Sequence, residues 1–278
     1  MWRFGTPDQH ERFLVPAIRG EKIAALGITE PGAGSDVASI RTTAKPVDGG
    51  YVVNGAKTYI TNGVRADFVV TAVKTTGEGG HHGLSFLILE RGMEGFSVSR
   101  KLEKLGWHAS DTGELAFGDV FVPAENLLGA ENQGFYLIMA NFQWERLLMA
   151  LGATGAMQTM LERTLARAER GDARADEGRQ ALRHVIAEMA TKLETARALT
   201  YEALRRFHHG HDAMRQVTMA KLVSQRSCYE VAETALRLYA DVGLYAWPAD
   251  EGPIRWPSST APPATRASAR SGAAPTRS

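Results

Sequence analysis

The spacing of apolar residues changes once along the chain, near Gln133. From about residue 22 to residue 125, short apolar runs end at glycine-rich turns, a pattern typical of β-strands. After Gln133, apolar residues recur every three to four positions over long stretches, which indicates amphipathic helices. Residues 1–20 also look helical, but they are too few to bury a core alone. The pattern therefore predicts a β-rich region followed by a helical region.

The β-rich region offers several candidate strands. The stretch GGYVVNGAKTYITNG has two β-prone runs around Asn54-Gly55, and this dipeptide favours two-residue hairpin turns, so a hairpin is predicted there. The strand candidates that follow are ADFVVTAVKT, GLSFLILE, GFSVSRKL and GELAFGDVFVP. Gly-rich turns separate them, which favours an antiparallel arrangement with short connections.

Three long helices are predicted in the second region. They are GFYLIMANFQWERLLMALGATGAMQTMLERTLARAERG and, after the polar break RGDARADEGR, QALRHVIAEMATKLETARALTYEALRRF and DAMRQVTMAKLVSQRSCYEVAETALRLYADVGL. Short loops between long helices imply an antiparallel bundle. Residues 247–278 hold six of the eleven prolines and almost no aliphatic side chains, which predicts a disordered tail. The fold class expected is α+β, a central antiparallel β domain followed by an antiparallel helical bundle.

Composition narrows the function classes. The 278 residues carry 32 basic and 31 acidic side chains, and a net charge of +1 suggests no nucleic-acid partner. The single cysteine, Cys228, cannot form an internal disulfide and is expected to be a core thiol in a reducing compartment. The first residues lack the apolar run of a signal peptide, and no stretch approaches the ~20 apolar residues of a membrane span. We therefore expect a cytoplasmic protein without a membrane partner, and we assign no metal site.

A carboxylate falls on the apolar face of the first long helix. Ile138, Phe142 and Met149 recur at helical spacing, and Glu145 lies on the same face, three residues after Phe142 and four before Met149. An acidic side chain on a buried stripe is costly unless something pairs with it or uses it. The residues alone leave three interpretations open: a surface charge at the edge of the stripe, a structural ion pair, or a catalytic base.

The most specific stretch is ITEPGAGSD, residues 28–36. It reads as a strand end running into a Pro-Gly-x-Gly turn, with hydroxyls at Thr29 and Ser35. Its glycines allow backbone amides to approach a ligand closely, as phosphate-binding turns do. It differs from the dinucleotide-binding G-x-G-x-x-G and has no βαβ unit around it. By itself it is either a structural turn or a ligand-binding loop.

Four stretches together closely resemble the acyl-CoA dehydrogenase family. They are ITEPGAGSD, VNGAKTYITNG, KLEKLGWHASDTGELAFGDVFVPAENLLG and GFYLIMANFQWERLLMA. Their order and spacing agree with the family from roughly residue 4 to residue 245, and SDTGEL and WERLL are most similar to the long-chain and isovaleryl types. The resemblance implies an FAD-dependent enzyme that desaturates an acyl-CoA to the trans-2-enoyl-CoA. It also implies an electron-transfer flavoprotein as electron acceptor and a homo-dimer or homo-tetramer.

The resemblance also implies domain bounds. Residues 1–21 would be a remnant of the family's N-terminal helical domain, and residues 22–125 would be the β domain that binds flavin and acyl-CoA. Residues 126–246 would be the C-terminal helical bundle, and residues 247–278 the tail. The family's last helices and its Gly-Thr-x-x-Glu-Ile segment do not occur in this sequence, so the chain resembles one truncated at both ends.

Site residues carry over from the family by position. The cofactor-binding positions implied are Leu26, Gly27, Ile28, Thr29, Glu30, Pro31, Gly32, Ala33, Gly34, Ser35, Tyr59, Ile60, Thr61, Arg170 and Gln180. The substrate-binding positions implied are Ser35, His81, His82, Tyr136, Gln143, Trp144 and Arg146. Tyr59 stands where the family has Trp in a Trp-Ile-Thr triplet. The stretch around Arg170 and Gln180 lacks the family's Phe-Gly, and the paired histidines equally suit a polar surface loop.

The resemblance selects the third interpretation of Glu145. The long-chain and isovaleryl types place their α-proton base on the first bundle helix, immediately before an Arg, and Glu145 precedes Arg146. Such a base requires a dry pocket on the substrate face opposite the flavin. Two alternatives to a dehydrogenase remain: a non-catalytic remnant that binds FAD weakly or not at all, and a related flavin oxidase or hydroxylase.

Overall fold

The computed structural model describes residues 1–77, 80–169 and 179–240. The chain divides into two compact units between Glu145 and Arg146. The first unit holds the β-sheet and the second is helical, so the predicted α+β fold class is confirmed. The domain bounds implied by the resemblance separate strands from helices at residue 125 instead, and they stay a prediction.

The helical N-terminal segment and every strand but the last lie in the predicted regions; the last strand, of two residues, lies just beyond residue 125. The segment consists of α1 (Pro7–Gln9), a π-helical stretch (His10–Leu14) and α2 (Val15–Arg19). The strands are β1 (Ala24–Gly27), β2 (Thr43–Val47), β3 (Gly50–Thr61), β4 (Phe68–Lys74), β5 (Leu84–Glu90), β6 (Phe96–Lys101), β7 (Thr112–Pro123) and β8 (Leu127–Leu128). All four of the later strand candidates are therefore confirmed.

The eight strands form one sheet in the order β6-β7-β3-β2-β4-β5-β8, with β1 beside β4. Most neighbours are antiparallel, as predicted. Two pairings are parallel: β1 runs alongside the first half of β4, and β2 meets the end of β4 at Thr43 and Lys74. The segment between β1 and β2 therefore leaves and re-enters the sheet beside the same strand.

Apolar side chains cover both faces of the central strands. Along β5, Leu87 and Leu89 belong to one buried cluster, while Phe86 and Ile88 belong to another, which also includes Phe13 of the N-terminal segment. Because successive strand residues point to opposite faces, a strand buried on both sides reads as a continuous apolar run. Burying each of these side chains contributes about 1.5–3 kcal/mol. The N-terminal segment thus completes the core of the first unit.

The predicted hairpin at Asn54-Gly55 is wrong. Strand β3 runs through both residues, and the turn lies earlier, at Asp48-Gly49, where Val47 of β2 pairs with Gly50 of β3. Gly55 has a φ of 151° at a register shift against β7. A Cβ there would lie 2.7 Å from the Cα of Thr42. The glycine therefore permits a close approach of two backbones, and Asp-Gly supplies the hairpin.

The three long helices are confirmed. They are α3 (Gly134–Glu169), α4 (Arg179–His208) and α5 (Met214–Ala240). In the second unit, Leu147 of α3 packs with Ala203 near the end of α4 and Val217 near the start of α5. Further along α3, Leu161 packs with Met189 near the start of α4. Successive helices therefore run antiparallel, as predicted.

Some predictions fall on residues that the structure does not describe. The polar break between the first two long helices lies almost entirely in residues 170–178, and the predicted tail at 247–278 lies outside the described residues as well. Within residues 1–77, 80–169 and 179–240, none of the helices combines the length and apolar character needed to cross a bilayer.

Candidate active site

The structure brings together two motifs of the β region: ITEPGAGSD, residues 28–36, is the first motif, and VNGAKTYITNG, residues 53–63, is the second. The backbone N–H of Thr58 donates to the carbonyl of Thr29 at 2.9 Å. The Nζ of Lys57 donates to the carbonyl of Ile28 at 3.1 Å. Residues 28–36 and the middle of β3 are thus adjacent although more than twenty residues separate them in sequence. The prediction that both motifs contribute to one site requires this adjacency.

A buried ion pair lies at the junction of the motifs. Lys57 Nζ and Glu30 Oε1 are 2.8 Å apart, and their side chains are 0% and 6% exposed. The Glu30 carboxylate also accepts hydrogen bonds from the backbone N–H of Arg41 at 2.6 Å and of Thr42 at 3.0 Å, and from the Thr42 hydroxyl at 2.6 Å. Glu30, predicted to bind cofactor, therefore points into the protein.

The environment of the pair shifts both ionisation equilibria. Burial lowers the pKa of Lys57 to about 8, although the charge and hydrogen bond of Glu30 oppose that change. Burial by itself would raise the pKa of Glu30, but Lys57, the Thr42 hydroxyl and the Arg41 amide together lower it. Both groups are therefore charged near pH 7. The sequence analysis did not assign Lys57, Thr42 or Arg41. An acidic residue in the first motif, Glu30, and a basic residue in the second, Lys57, could have suggested an ion pair.

The first motif presents an exposed turn. Glu30 and Ala33 exchange two backbone hydrogen bonds, of 2.9 and 3.1 Å, around Pro31-Gly32. A Cβ at Gly32 or Gly34 would meet open space. Pro31, Gly32, Gly34 and Ser35 are exposed, Leu26 and Thr29 are half-buried, and Gly27, Ile28, Glu30 and Ala33 are buried. The predicted cofactor positions of this motif thus form two groups: exposed residues in the turn, and buried residues beneath the turn that support it.

The second motif contains a strained residue. Tyr59 has a φ of 59° and is 69% exposed, at the register shift between Lys57 and Ile60. A left-handed conformation costs a non-glycine residue about 1–2 kcal/mol, so its surroundings must hold it in place. Ile60 is buried in the core and Thr61 is exposed. The bulge turns the Tyr59 ring out of the sheet while Ile60 anchors the strand.

The third motif, SDTGEL, braces the second. Asp111 Oδ1 accepts from the backbone N–H of Val64 at 3.0 Å, in the turn after β3. Glu114 Oε1 accepts from the hydroxyl of Thr58 at 3.3 Å. Strands β3 and β7 pair up to Thr61, so the end of the second motif is held along the edge that faces β7. Asp111 and Glu114 are supporting residues that sequence analysis did not assign.

Three predicted substrate positions cluster at the start of α3. The rings of His81 and His82 are 4.1 Å apart, and the His81 ring lies 5.3 Å from that of Phe135. Tyr136, the next residue of α3, is exposed and its ring lies edge-on to Phe4 at 6.3 Å. Both histidines are exposed. The structure therefore brings the histidine pair beside the helix turn that carries Tyr136.

Glu145 does not lie on a buried stripe. Glu145 is exposed, and its Oε1 accepts a hydrogen bond from the Asn141 side-chain amide at 2.6 Å. Met149, expected on the same buried face, is exposed too. Ile138 of the predicted stripe is buried, but further along the helix Leu147 is buried in place of Met149, so the position of Glu145 is that of a surface charge. Its role as base stays a prediction.

The remaining predicted positions are spread over the helices. Gln143 and Arg146 are half-buried and Trp144 is more exposed, all on α3. Gln180 is exposed near the start of α4, and Arg170 lies outside the described residues.

Two family models match the chain. "Acyl-CoA dehydrogenase, middle domain" matches residues 25–120, and "Acyl-CoA dehydrogenase, C-terminal domain" matches residues 132–256. The first covers most of the sheet and the second covers the three helices. The chain therefore belongs to the acyl-CoA dehydrogenase family, as the four motifs predicted.

Individual relatives agree with this family. Mitochondrial isovaleryl-CoA dehydrogenase of Arabidopsis thaliana is 40% identical over 213 residues, covering 75% of this chain and 51% of that protein. A probable acyl-CoA dehydrogenase of Mycobacterium abscessus has a TM-score of 0.82 at 44% identity, covering 86% of this chain and 64% of that one. PigA with FAD and proline has a TM-score of 0.82 at 29% identity, covering 90% and 65%. The chain thus spans between half and two thirds of the length of these relatives.

Proposed function

We propose that this chain forms the FAD-binding part of an acyl-CoA dehydrogenase, which oxidises an acyl-CoA thioester to the trans-2-enoyl-CoA. The observation that supports this most is the hydrogen-bonded junction of the two glycine-containing motifs, with the ion pair of Lys57 and Glu30 at its base. Membership of the family and the FAD held by PigA support the choice of cofactor.

The described residues of the motifs fit FAD. Within the described part of the chain, the hydroxyls of Thr29, Ser35 and Thr61 make no hydrogen bond, so they are available to a polar ligand. The open space at Gly32 and Gly34 allows a ligand to approach the turn backbone closely. The exposed Tyr59 ring offers an aromatic face beside these groups. These features support the cofactor positions assigned on the two motifs.

In the proposed reaction, bound FAD supplies the acceptor for the hydride that leaves the substrate β carbon. Glu145 removes the α proton, and Ser35, His81, His82 and Tyr136 contact the acyl-CoA. A carboxylate acts as an effective base on a carbon acid when water is excluded from it. Because Glu145 is exposed in this structure, the proposal requires that bound substrate or a neighbouring chain cover it.

The proposal includes partners that belong to the whole enzyme. An electron-transfer flavoprotein would serve as the electron acceptor, and the enzyme would be a homo-dimer or homo-tetramer in the cytoplasm. Arg170 and Gln180 are assigned to the FAD of a neighbouring subunit, and Gln143, Trp144 and Arg146 to the substrate.

The assignment of Glu145 is tested by anaerobic reduction. The purified chain is titrated with FAD, and bleaching of the visible flavin band is followed after addition of acyl-CoA. We expect Glu145→Gln to retain flavin but to bleach about 10²–10⁴ times more slowly, the usual contribution of a general base. Glu162→Gln is the matched control, because Glu162 is another exposed acid on α3 that accepts from a side-chain amide four residues earlier. Equal rates in both variants would refute Glu145 as the base.

A flavin oxidase or hydroxylase is the second candidate. PigA, a structure with FAD and proline, has a TM-score of 0.82 to this chain, so ligands other than an acyl-CoA occur among the structural neighbours. Rapid oxygen consumption after reduction by acyl-CoA would favour this candidate, whereas a dehydrogenase would react slowly with oxygen. A folded chain that binds no FAD would instead identify a non-catalytic remnant, an outcome that the exposure of Glu145 also favours.

A further inference from the structure

The ion pair of Glu30 and Lys57 has no surface with which to bind a ligand. Both side chains are almost completely buried, and among the described residues all the hydrogen bonds of Lys57 Nζ go to Ile28 and Glu30. Stability alone is a weak explanation for such a pair, because removing two charges from water costs about as much as their attraction returns. The position of the pair therefore needs another explanation.

One end of the pair holds Thr29 against β3. The two acceptors of Lys57 Nζ belong to Ile28 and Glu30, the residues on either side of Thr29. The carbonyl of Thr29 itself accepts from the N–H of Thr58. Three hydrogen bonds thus fix Thr29 beside the bulge at Tyr59. Gly27, the residue before Ile28, packs closely against the neighbouring strand, since a Cβ there would lie 3.1 Å from the Val69 side chain.

The other end closes a loop. The Glu30 carboxylate accepts from the backbone of Arg41 and Thr42, so one side chain holds both ends of the segment between Glu30 and Arg41. That segment carries the exposed turn with Gly32, Gly34 and Ser35. Lys57 ties this closed loop to β3. A loop fixed in its binding conformation loses less entropy when a ligand binds.

We propose that Glu30 and Lys57 are positioning residues, which hold the exposed turn and the Tyr59 bulge in the geometry that FAD requires. This inference rests on the proposed function. It assigns Glu30 an indirect role in place of contact with the cofactor, and it adds Lys57 to the residues on which FAD affinity depends.

The test compares two pairs of charges in the same unit. Glu30→Gln with Lys57→Met removes the buried pair while keeping side chains of similar size. Arg12→Met with Glu90→Gln removes a second ion pair, of 2.8 Å and partly buried, remote in sequence from both motifs. The FAD dissociation constant is measured by fluorescence quenching at a temperature at which thermal unfolding shows each protein to be folded. Visible circular dichroism of the bound flavin reports its environment.

We expect the Glu30–Lys57 double variant to bind FAD at least about tenfold more weakly with an altered visible spectrum, because its binding loop is no longer held. The FAD dissociation constant of the Arg12–Glu90 double variant should lie within about twofold of that of the unsubstituted protein. Loss of a purely structural ion pair lowers stability but leaves the binding site of the folded protein unchanged. Unchanged FAD affinity and spectrum in the Glu30–Lys57 variant would overturn the inference while leaving the proposed function intact. If the unsubstituted protein itself binds no FAD, both the inference and the proposed function are overturned.

A milder variant decides the question if the double variant fails to fold. Thr42→Val removes one hydroxyl donor to Glu30, keeps the shape of the side chain and leaves the ion pair in place. We expect an FAD dissociation constant about threefold higher, as befits one lost hydrogen bond. A dissociation constant equal to that of the unchanged chain would contradict the positioning role.

Discussion

At the scale of single residues, Lys57 and Glu30 show how two buried charges can coexist with an apolar sheet. Each group satisfies the other, and the remaining acceptor sites of Glu30 are filled by Arg41 and Thr42. An unpaired charge at either position would be costly. Burial lowers the pKa of Lys57, so the pH dependence of stability is a way to measure how deeply the pair is buried.

The unfolding free energy should depend on pH through Lys57. Its pKa is about 8 in the folded chain, below the ordinary value of 10.5 expected after unfolding. Between these values the unfolded chain binds more protons, so the Lys57 contribution to the unfolding free energy rises with pH, by at most about 1.4 kcal/mol per unit. Well below pH 8 both states hold the proton, and the contribution is constant.

Urea unfolding at pH 7, 8, 9 and 10 measures this dependence. The reference is the Glu30→Gln, Lys57→Met double variant, which lacks both titrating groups. The difference in unfolding free energy between the unchanged chain and this reference should increase most steeply between pH 8 and pH 10, where folded Lys57 is mostly deprotonated and unfolded Lys57 is still mostly protonated. A difference that stays level up to pH 10 would contradict the depressed pKa of Lys57.

At the scale of elements, β3 is one long strand with two register shifts against β7. The first, at Gly55, allows Thr42 to approach the strand, and the second, at Tyr59, turns an aromatic ring outward. Bulges add local twist and redirect side chains, and they often occur next to binding sites. The strand thereby supplies both a packed core and an exposed face.

Substitutions at two glycines of this region distinguish the cost of a steric clash from the cost of an unfavourable backbone conformation. Gly49 and Gly55 both have positive φ, but a Cβ at Gly49 meets open space, whereas one at Gly55 meets Thr42. We expect Gly49→Ala to lower the unfolding free energy by about 1–2 kcal/mol, the cost of an unfavourable φ. Gly55→Ala should lower it further, by about 3 kcal/mol or more, because Thr42 must move. Equal losses in chemical denaturation would contradict the close approach.

At the scale of the whole molecule, the described chain holds two units with separate cores. The sheet and the N-terminal segment bury two clusters in Met1–Glu145, and the helices bury two more after Arg146. A core variant in the helical unit should therefore act chiefly on the helices. Leu193 of α4, which is 1% exposed, provides the position for that test.

Leu193→Ala should lower the unfolding free energy by about 2–5 kcal/mol, the usual cost of a cavity in a core. Leu148→Ala is the control, since Leu148 is 46% exposed, and its loss should stay below about 1 kcal/mol. Native-state hydrogen exchange should become faster in α4 and α5 of the Leu193 variant. Exchange in β5 should change little; equal acceleration there would show that the units do not open separately.

Local patterns accounted for much of this protein. Continuous apolar runs marked β4 and β5, periodic spacing marked the three helices, and the motif wording identified the family. These features depend on neighbours in sequence, which a pattern records directly. Asn54-Gly55 misled because a glycine signals a positive φ or a close contact, and the sequence does not distinguish a turn from a bulge.

Tertiary structure decided which side chains meet. Glu30 reads as a ligand contact in its motif, but the fold directs it to Lys57, more than twenty residues away. Glu145 reads as buried because helical spacing describes one face of one helix, whereas burial depends on what packs against that face. The chain order thus determined the elements and the family, while long-range packing alone determined the ion pair beneath the motifs and the exposure of Glu145.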